Sequence, residues 1–595
     1  MAEPQSFPTP TAHPQPSGSP VKQTAVQPTP QPRDSIREVC ETIAFVVTLV
    51  LMLKLFVVEA FVIPTGSMAE TLYGYQKIVD CDECGFNFPV NSSNEVEPTD
   101  GPPTRIIGAC CPNCRHRQRW PIDKAPVNRS GDRVLVHKVM YHFTPPEPGD
   151  VVVFKFPVDP QVKHTAQNYI KRLWGRGSET LAINRGDLYR TRILTYPVTD
   201  LDSAGRPKFP RPSDPNHLWE GPEAEFHSKT SPRFRADGID YTYHNAEEAV
   251  QLFDASRLKG FTDPSSGFEL IRKSDDLVMA MRRIVYDNEH QPKSFAARSV
   301  PPRWGTDPTG WTADKPNEPK AFTHTGTELN WVRYRHMAPR SRDDWEVFLG
   351  GLNQGGLSVG PVTNFLGYNA GLEEGRGEMR NTSSDFWVGD LILECEAVFQ
   401  TADATAVLEL SKGPHRYQAI FENGQVKLIR TGPQGKELAT AATGITGPGM
   451  HAIRFANVDC RLRVWVDEKR IDFGDSADYP PDTLPEKFED GDRMEEGWTA
   501  LNDIAAPASV GAKGGVEFRK LKLWRDSYFT YADQRESNIA RFVDTFYVQP
   551  DHFLCLGDNS AQSSDSRKWG TVPERLMLGK AVFVFFPVNR IGLIE

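Results

Sequence analysis

The run VCETIAFVVTLVLMLKLFVVEAFVI, Val39 to Ile63, is the most apolar in the chain, and it constrains everything around it. A membrane-spanning helix needs about 20 mostly apolar residues. Val39–Val58 meets that length if Lys54 snorkels to the interface. The expectation is a transmembrane helix over 39–60, with a buried core helix as the alternative. Lys22, Arg33 and Arg37 precede it, so the positive-inside rule puts the N-terminus in the cytoplasm and everything after about residue 60 outside. The chain is then expected to be a single-pass protein of the cytoplasmic (inner) membrane, in contact with the lipid bilayer. Residues 1–36 are mostly Pro, Gln, Ser and Thr and read as a disordered cytoplasmic tail. They lack the basic start and apolar core of a secretory signal.

The remainder is long enough for several domains: 595 residues suggest two to four. The net charge is −10 and there is no basic block, which excludes a nucleic-acid partner. Residues 130–158 give two β-rich runs around a Pro-rich turn, and YIKRLW (169–174) gives another strand. The stretch 193–385 has no assignable fold, with helical patches near 245–258 and 276–286. From 386 to 527 alternating strands recur at short spacing, and Asn423-Gly424 marks a hairpin. This section reads as an all-β sandwich, similar in pattern to laminin-G or concanavalin-like jelly rolls. Short strands return at 541–595. The fold class is mostly β.

Five of the nine cysteines fall between 81 and 114. Cys81/Cys84 and Cys111/Cys114 form two C-x-x-C pairs, a zinc-ribbon pattern with a long spacer inside a Cys-rich insert over 81–120. Cys110 is left over and His116 is a weaker alternative ligand. Structural zinc is favoured over disulfides, the rival for an extracytoplasmic region. Four thiolates would leave no open position, so no metal is expected in catalysis. Cys395 and Cys460 read either as a cross-sheet pair or as buried thiols.

Three separated segments carry unusual polar residues: PTGSM (64–68), NYIKRLWGRGSET (168–180) and GDNSAQSSDSRKWG (557–570). Each alone reads as an ordinary turn, strand edge or self-satisfied loop. Together with GDVVVFKFP (149–157) and PERLMLGKAVFVFFP (573–587), in this order, they resemble bacterial type I signal peptidases. The resemblance covers 39–80, 130–192 and 545–590. It implies a membrane-anchored antiparallel β catalytic core in two parts, 61–192 and 541–595, split by a large insertion. It also implies a Ser-Lys dyad that needs no cofactor and cleaves signal peptides from exported preproteins.

By this resemblance Ser67 is the nucleophile and Lys171 the general base, its pKa lowered by desolvation. Thr65 keeps the hydroxyl expected of an oxyanion donor, and Ser563 orients the lysine. Arg172, Asp558, Asp565 and Arg567 are structural ion-pair residues. Phe61, Ile63, Pro64, Met68, Leu72, Tyr169 and Ile170 would line shallow pockets for small residues of an Ala-x-Ala site, with core packing as the alternative. GRGSE (175–179) and GDNSAQ depart from the family's usual loops but touch neither Ser67 nor Lys171. A second reading is a catalytically degenerate membrane-anchored protein whose sandwich binds a cell-surface or carbohydrate ligand. The Ser-x-x-Lys pattern of penicillin-binding proteins fails, because Glu70 stands three residues after Ser67.

Overall fold

A computed structural model describes residues 35–98, 101–157, 167–191, 268–297, 300–338, 358–375, 386–413, 415–432, 435–481, 503–530, 544–548 and 551–595. Residues 1–34 of the tail expected over 1–36 and the patch at 245–258 lie outside these residues, while Ser35 and Ile36 open a helix rather than ending a disordered tail. The described chain divides into two units, Met1–Leu55 and Phe56–Glu595.

The first unit holds an α-helix, Ser35–Met52, continued by a π-helical turn at Leu53–Val57. Its apolar side chains, among them Ile43, Phe45, Val46 and Leu49, are exposed. The expected transmembrane span over 39–60 needs correction. Among the described residues no helix is long and apolar enough to cross a membrane. Arg37, Glu38 and Glu41 occupy the helix start. At the far end the run leaves the helix: Val58–Val62 is a strand, paired with Arg133–His137 from Val58↔His137 to Val62↔Arg133. The β-branched, alternating character of VVEAFVI suits a strand better than a last helical turn.

In the second unit an eight-stranded antiparallel sheet carries the sequence motifs. Its order is Val58–Val62, Arg133–His137, Met577–Phe586, Val151–Lys155, Asn168–Arg176, His552–Leu556 and Val572–Pro573, with Gly592–Leu593 beside Met577–Phe586. Val134, Val136, Val151, Val153, Ala581 and Val584 form one core against it. A four-stranded sheet follows, Glu269–Leu270, Asp187–Thr191, Thr180–Asn184 and Asp544–Tyr547.

The sandwich has two antiparallel sheets of eight and seven strands. His415–Glu422 alternates buried and partly buried side chains along its length. The Asn423-Gly424 hairpin joins it to Gln425–Thr431 with positive φ at both turn residues, as a two-residue type I′ turn requires. The stretch without an assignable fold supplies strands to both sheets. Arg283–Asp287, Trp311–Ala313 and Ala321–His324 join one; Trp304–Thr306 and Asn330–Tyr334 join the other. The patch at 276–286 is half helix, Asp275–Met281, with Ser274 as its cap; its second half is the strand Arg283–Asp287. Cys395 and Cys460 are buried free thiols.

Candidate active site and cysteine centre

The segment after strand Val58–Val62 turns at Pro64-Thr65 into a single 3-10 turn, Gly66–Met68, which presents Ser67. Ser67 is buried to 9 % exposure. Lys171 comes from the middle of strand Asn168–Arg176 and is buried to 3 %. Its Nζ lies 2.7 Å from Ser67 Oγ and donates to the Ile170 carbonyl at 2.9 Å. Burial lowers the Lys171 pKa from its ordinary value to about 8, against the opposing charges of Asp565 and Asp558. The protein interior supplies this desolvation.

Thr65 is half-buried and makes no side-chain capping bond to the turn, so its hydroxyl is not committed there. Ser563 is buried against Gly557, where a Cβ would stand 2.7 Å from Ser563 Cβ and 2.5 Å from the Ser67 carbonyl oxygen. Ser563 forms no hydrogen bond with Lys171, whose bonds go to Ser67 and Ile170. Ser563 Oγ is buried without a hydrogen-bond partner among the described residues. Burial raises the Asp565 pKa, but the Arg567 charge and the hydrogen bonds of Arg567 and the Gly557 N–H outweigh it and hold it below its ordinary value.

The charged residues of the motifs form two buried forks. Arg172 binds Asp558 through Nε and Nη2 at 2.9 and 2.7 Å, and its Nη1 donates to the carbonyls of Gly149 and Glu595. Arg567 binds Asp565 in the same bidentate way, at 2.8 and 2.7 Å, and reaches Thr530 and Ser560. Such pairs fix geometry.

Of the expected pocket residues, Ile63, Met68 and Leu72 are core, packed with Val134 and Val151. Phe61, Tyr169 and Ile170 are half-buried and Pro64 is exposed. Phe61 and Ile170 pack at the edge of that same core, whereas Tyr169 lies against Phe154, Phe156 and Trp569.

The four cysteines of the C-x-x-C pairs converge. Cys81 and Cys114 sulfurs are 3.6 Å apart, and those of Cys84 and Cys111 are 3.7 Å apart. All four lie within 4.8 Å of one another. Four sulfurs on tetrahedral zinc, each at ~2.3 Å, would be about 3.8 Å apart, so the donor set fits the ion. Each knuckle ends on a residue with positive φ, Gly85 or Arg115. Asn113 Nδ2 lies 3.8 Å from Cys84 Sγ, and the His116 N–H donates to Cys114 Sγ at 3.4 Å. His116 turns its ring to Asp82 and is not in the cluster. Cys110 donates to the Arg115 carbonyl, with its thiol pushed up to about 11 by burial.

Sequence reading missed Asn559 as part of the site. Its side chain donates to the Gly66 carbonyl at 2.9 Å and its N–H to the Ser67 carbonyl at 3.0 Å. The GDN triplet was the available signal.

Ser67 and the buried Lys171 thus stand in hydrogen-bond contact on an antiparallel β scaffold. Residues 124–206 and 494–586 match the family model "Signal peptidase, peptidase S26". These segments include Lys171 and the 557–570 loop, and Ser67 lies ahead of them. The chain is 42% identical over 67 residues to a probable signal peptidase I-1 of Synechocystis sp., covering 11% of this chain and 34% of the relative. It is 53% identical over 45 residues to signal peptidase I of Leptolyngbya laminosa, covering 8% and 22%. The chain thus spans about a third or less of the length of these relatives. The matches support a bacterial type I signal peptidase, within a much larger chain. A solved carbohydrate-binding module from Bacillus subtilis aligns with 37% of this chain and 94% of its own, at 8% identity and a TM-score of 0.21, too low to carry an argument.

Proposed function

We propose that this chain is a membrane-bound serine endopeptidase that removes signal peptides from exported preproteins, with Ser67 as nucleophile and Lys171 as its base. The observation that carries the reading is the 2.7 Å contact of Lys171 Nζ with Ser67 Oγ, at a lysine whose pKa falls to about 8. About half of such lysines are neutral near pH 8, and the neutral amine can take the serine proton.

Ser67 Oγ then bonds to the scissile carbonyl carbon while its proton passes to Nζ. The carbonyl electron pair moves onto oxygen, where the Ser67 N–H and the Thr65 hydroxyl donate. Collapse breaks the C–N bond, and Lys171 gives its proton to the departing amine. A water deprotonated by Lys171 then releases the acyl group and restores Ser67.

Substrate adds to the open edge of strand Val58–Val62, the outermost of its sheet. Phe61, Pro64, Tyr169 and Ile170 meet its small side chains, while Ile63, Met68 and Leu72 support them from the core. The apolar side chains on helix Ser35–Met52, and separately Val62, Val588, Ile591 and Leu593 near the sheet's end, are exposed and support a lipid contact. The Cys-x-x-Cys pairs hold a structural zinc outside the reaction.

The test is cleavage of a preprotein with an Ala-x-Ala site. Ser67→Ala and Lys171→Ala are each expected to lower kcat/KM by at least about 10³-fold. Cleavage at the parental rate by either variant would sink the dyad.

A further inference from the structure

We propose that the inserted region is part of the peptidase's working geometry: Asn369, carried by the insertion, is a positioning residue for Ser67, acting through Asn559. This rests on the reading of Ser67 as nucleophile.

Asn369 is buried at the end of a short 3-10 turn, Gly367–Asn369. Its amide forms a reciprocal pair with that of Asn559. Asn369 Nδ2 donates to Asn559 Oδ1 at 2.7 Å, and Asn559 Nδ2 donates to Asn369 Oδ1 at 2.8 Å. An asparagine amide can sit in either of two flipped orientations. The Gly66 carbonyl, which only accepts, sets which end of Asn559 is NH₂, and the Asn369 amide complements and holds that orientation. The Asn559 NH₂ then has one proton on Asn369 and one on the Gly66 carbonyl. Asn559 so oriented grips the nucleophile turn twice, at the carbonyls of Gly66 and Ser67.

Two further groups from the insertion press on the same turn. The Tyr368 ring lies against Gly66 so closely that a Cβ there would run into it. Arg283, buried on a sandwich strand, donates to the Ala69 carbonyl at 3.1 Å. The segment bearing Tyr368 and Asn369 is itself fastened. Gly371–Glu373 pairs with strand Ile106–Cys110, the Cys110 N–H donates to the Ala370 carbonyl, and Arg525 donates to the carbonyls of Asn364 and Phe365 at 2.8 Å. Ser67 therefore sits between the sheet that supplies Lys171 and an element far away in sequence.

The experiment compares the full chain with Asn369→Ala, Asn559→Ala and the double variant, on an Ala-x-Ala preprotein. Asn369→Asp keeps the size of the side chain, removes the donor to Asn559 Oδ1, and serves where the alanine variant melts early. Displacing a reacting group by an ångström can cost about 10²-fold, so a 10- to 100-fold fall in kcat with KM unchanged is expected for Asn369→Ala. Because both residues act on one turn, the double variant should be no slower than Asn559→Ala alone. A wild-type kcat in Asn369→Ala, a fall that only follows the melted fraction, or losses that multiply in the double variant would each overturn the proposal. If the unaltered chain does not cut, the nucleophile reading fails and this inference with it. If it cuts and Asn369→Ala cuts equally, only this inference fails.

Discussion

As the proposed base, Lys171 meets two conflicting demands. A base must be neutral at working pH, which needs burial, and burying a side chain that is charged in the unfolded chain costs stability. The folded value is about 8, against about 10.4 for a free lysine. Between those values the unfolded chain holds more protons, so stability rises with pH across that window. Below about pH 8 the whole penalty is present, up to about 3 kcal/mol for a shift of this size. Lys171→Met is therefore expected to be inactive yet more stable at pH 7, with the difference shrinking towards pH 10.5. Denaturant melts at pH 7 and 10 measure this, and equal stability at pH 7 would contradict it. For the unaltered chain kcat/KM should rise about tenfold per pH unit below 8 and flatten above it. The contact of Ser67 with Lys171 was legible because their neighbours, PTGSM and YIKR, form an ordered set. Asn369 was not, because FLGYNAG reads as any turn and its partner lies 190 positions away.

At the scale of elements, the cysteine knuckles stand next to the segment that presents Asn369. Gly367 packs on Pro112, where a Cβ would be 2.7 Å from the proline Cβ. Arg303, from the insertion, donates to the Asn113 carbonyl at 2.8 Å and the Met337 carbonyl at 2.6 Å. The Asp287 N–H donates to Asn113 Oδ1 at 2.6 Å. A metal held by these knuckles stabilises the folded chain by the free energy of its binding. Cys84→Ser is expected to lose bound zinc in native mass spectrometry and to lower the melting temperature. Its kcat should fall in the same sense as that of Asn369→Ala. A chain purified without zinc that melts as the zinc-loaded chain does would rule out the ion as a structural part. The spacing of the pairs made this centre readable, whereas its surroundings were not, since Asn113, Asp287 and Arg303 belong to no motif. The helix end was misread for a different reason. A continuous apolar run satisfies both a helix and an edge strand, and only pairing with Arg133–His137 decides between them.

In the whole molecule, an insertion of this size is tolerated because its ends meet. Strands Asn168–Arg176 and His552–Leu556 are neighbours in one sheet, and Thr180–Asn184 pairs with Asp544–Tyr547. Gly186 bridges to Phe529 just beyond. A chain can leave and return at such a point without disturbing the sheet. The sandwich has its own large core, from Leu391 and Leu393 to Phe518 and Leu523. Yet it is not merely appended. Arg283 and Tyr368 touch the turn that carries Ser67, Asn369 pairs with the Asn559 that holds it, and the Thr530 N–H donates to Ser560 Oγ in the loop that also carries the Asp565–Arg567 fork. A topologically removable insertion is on this account functionally fixed. Replacing residues 186–529 by a short Gly-Ser linker is expected to leave ends that still meet but a turn without its outer support. In the fraction that stays soluble and melts cooperatively, kcat on the Ala-x-Ala preprotein should fall by about 10²-fold or more. A shortened chain that cuts at the rate of the full one would show that the peptidase sheet alone holds Ser67 against Lys171.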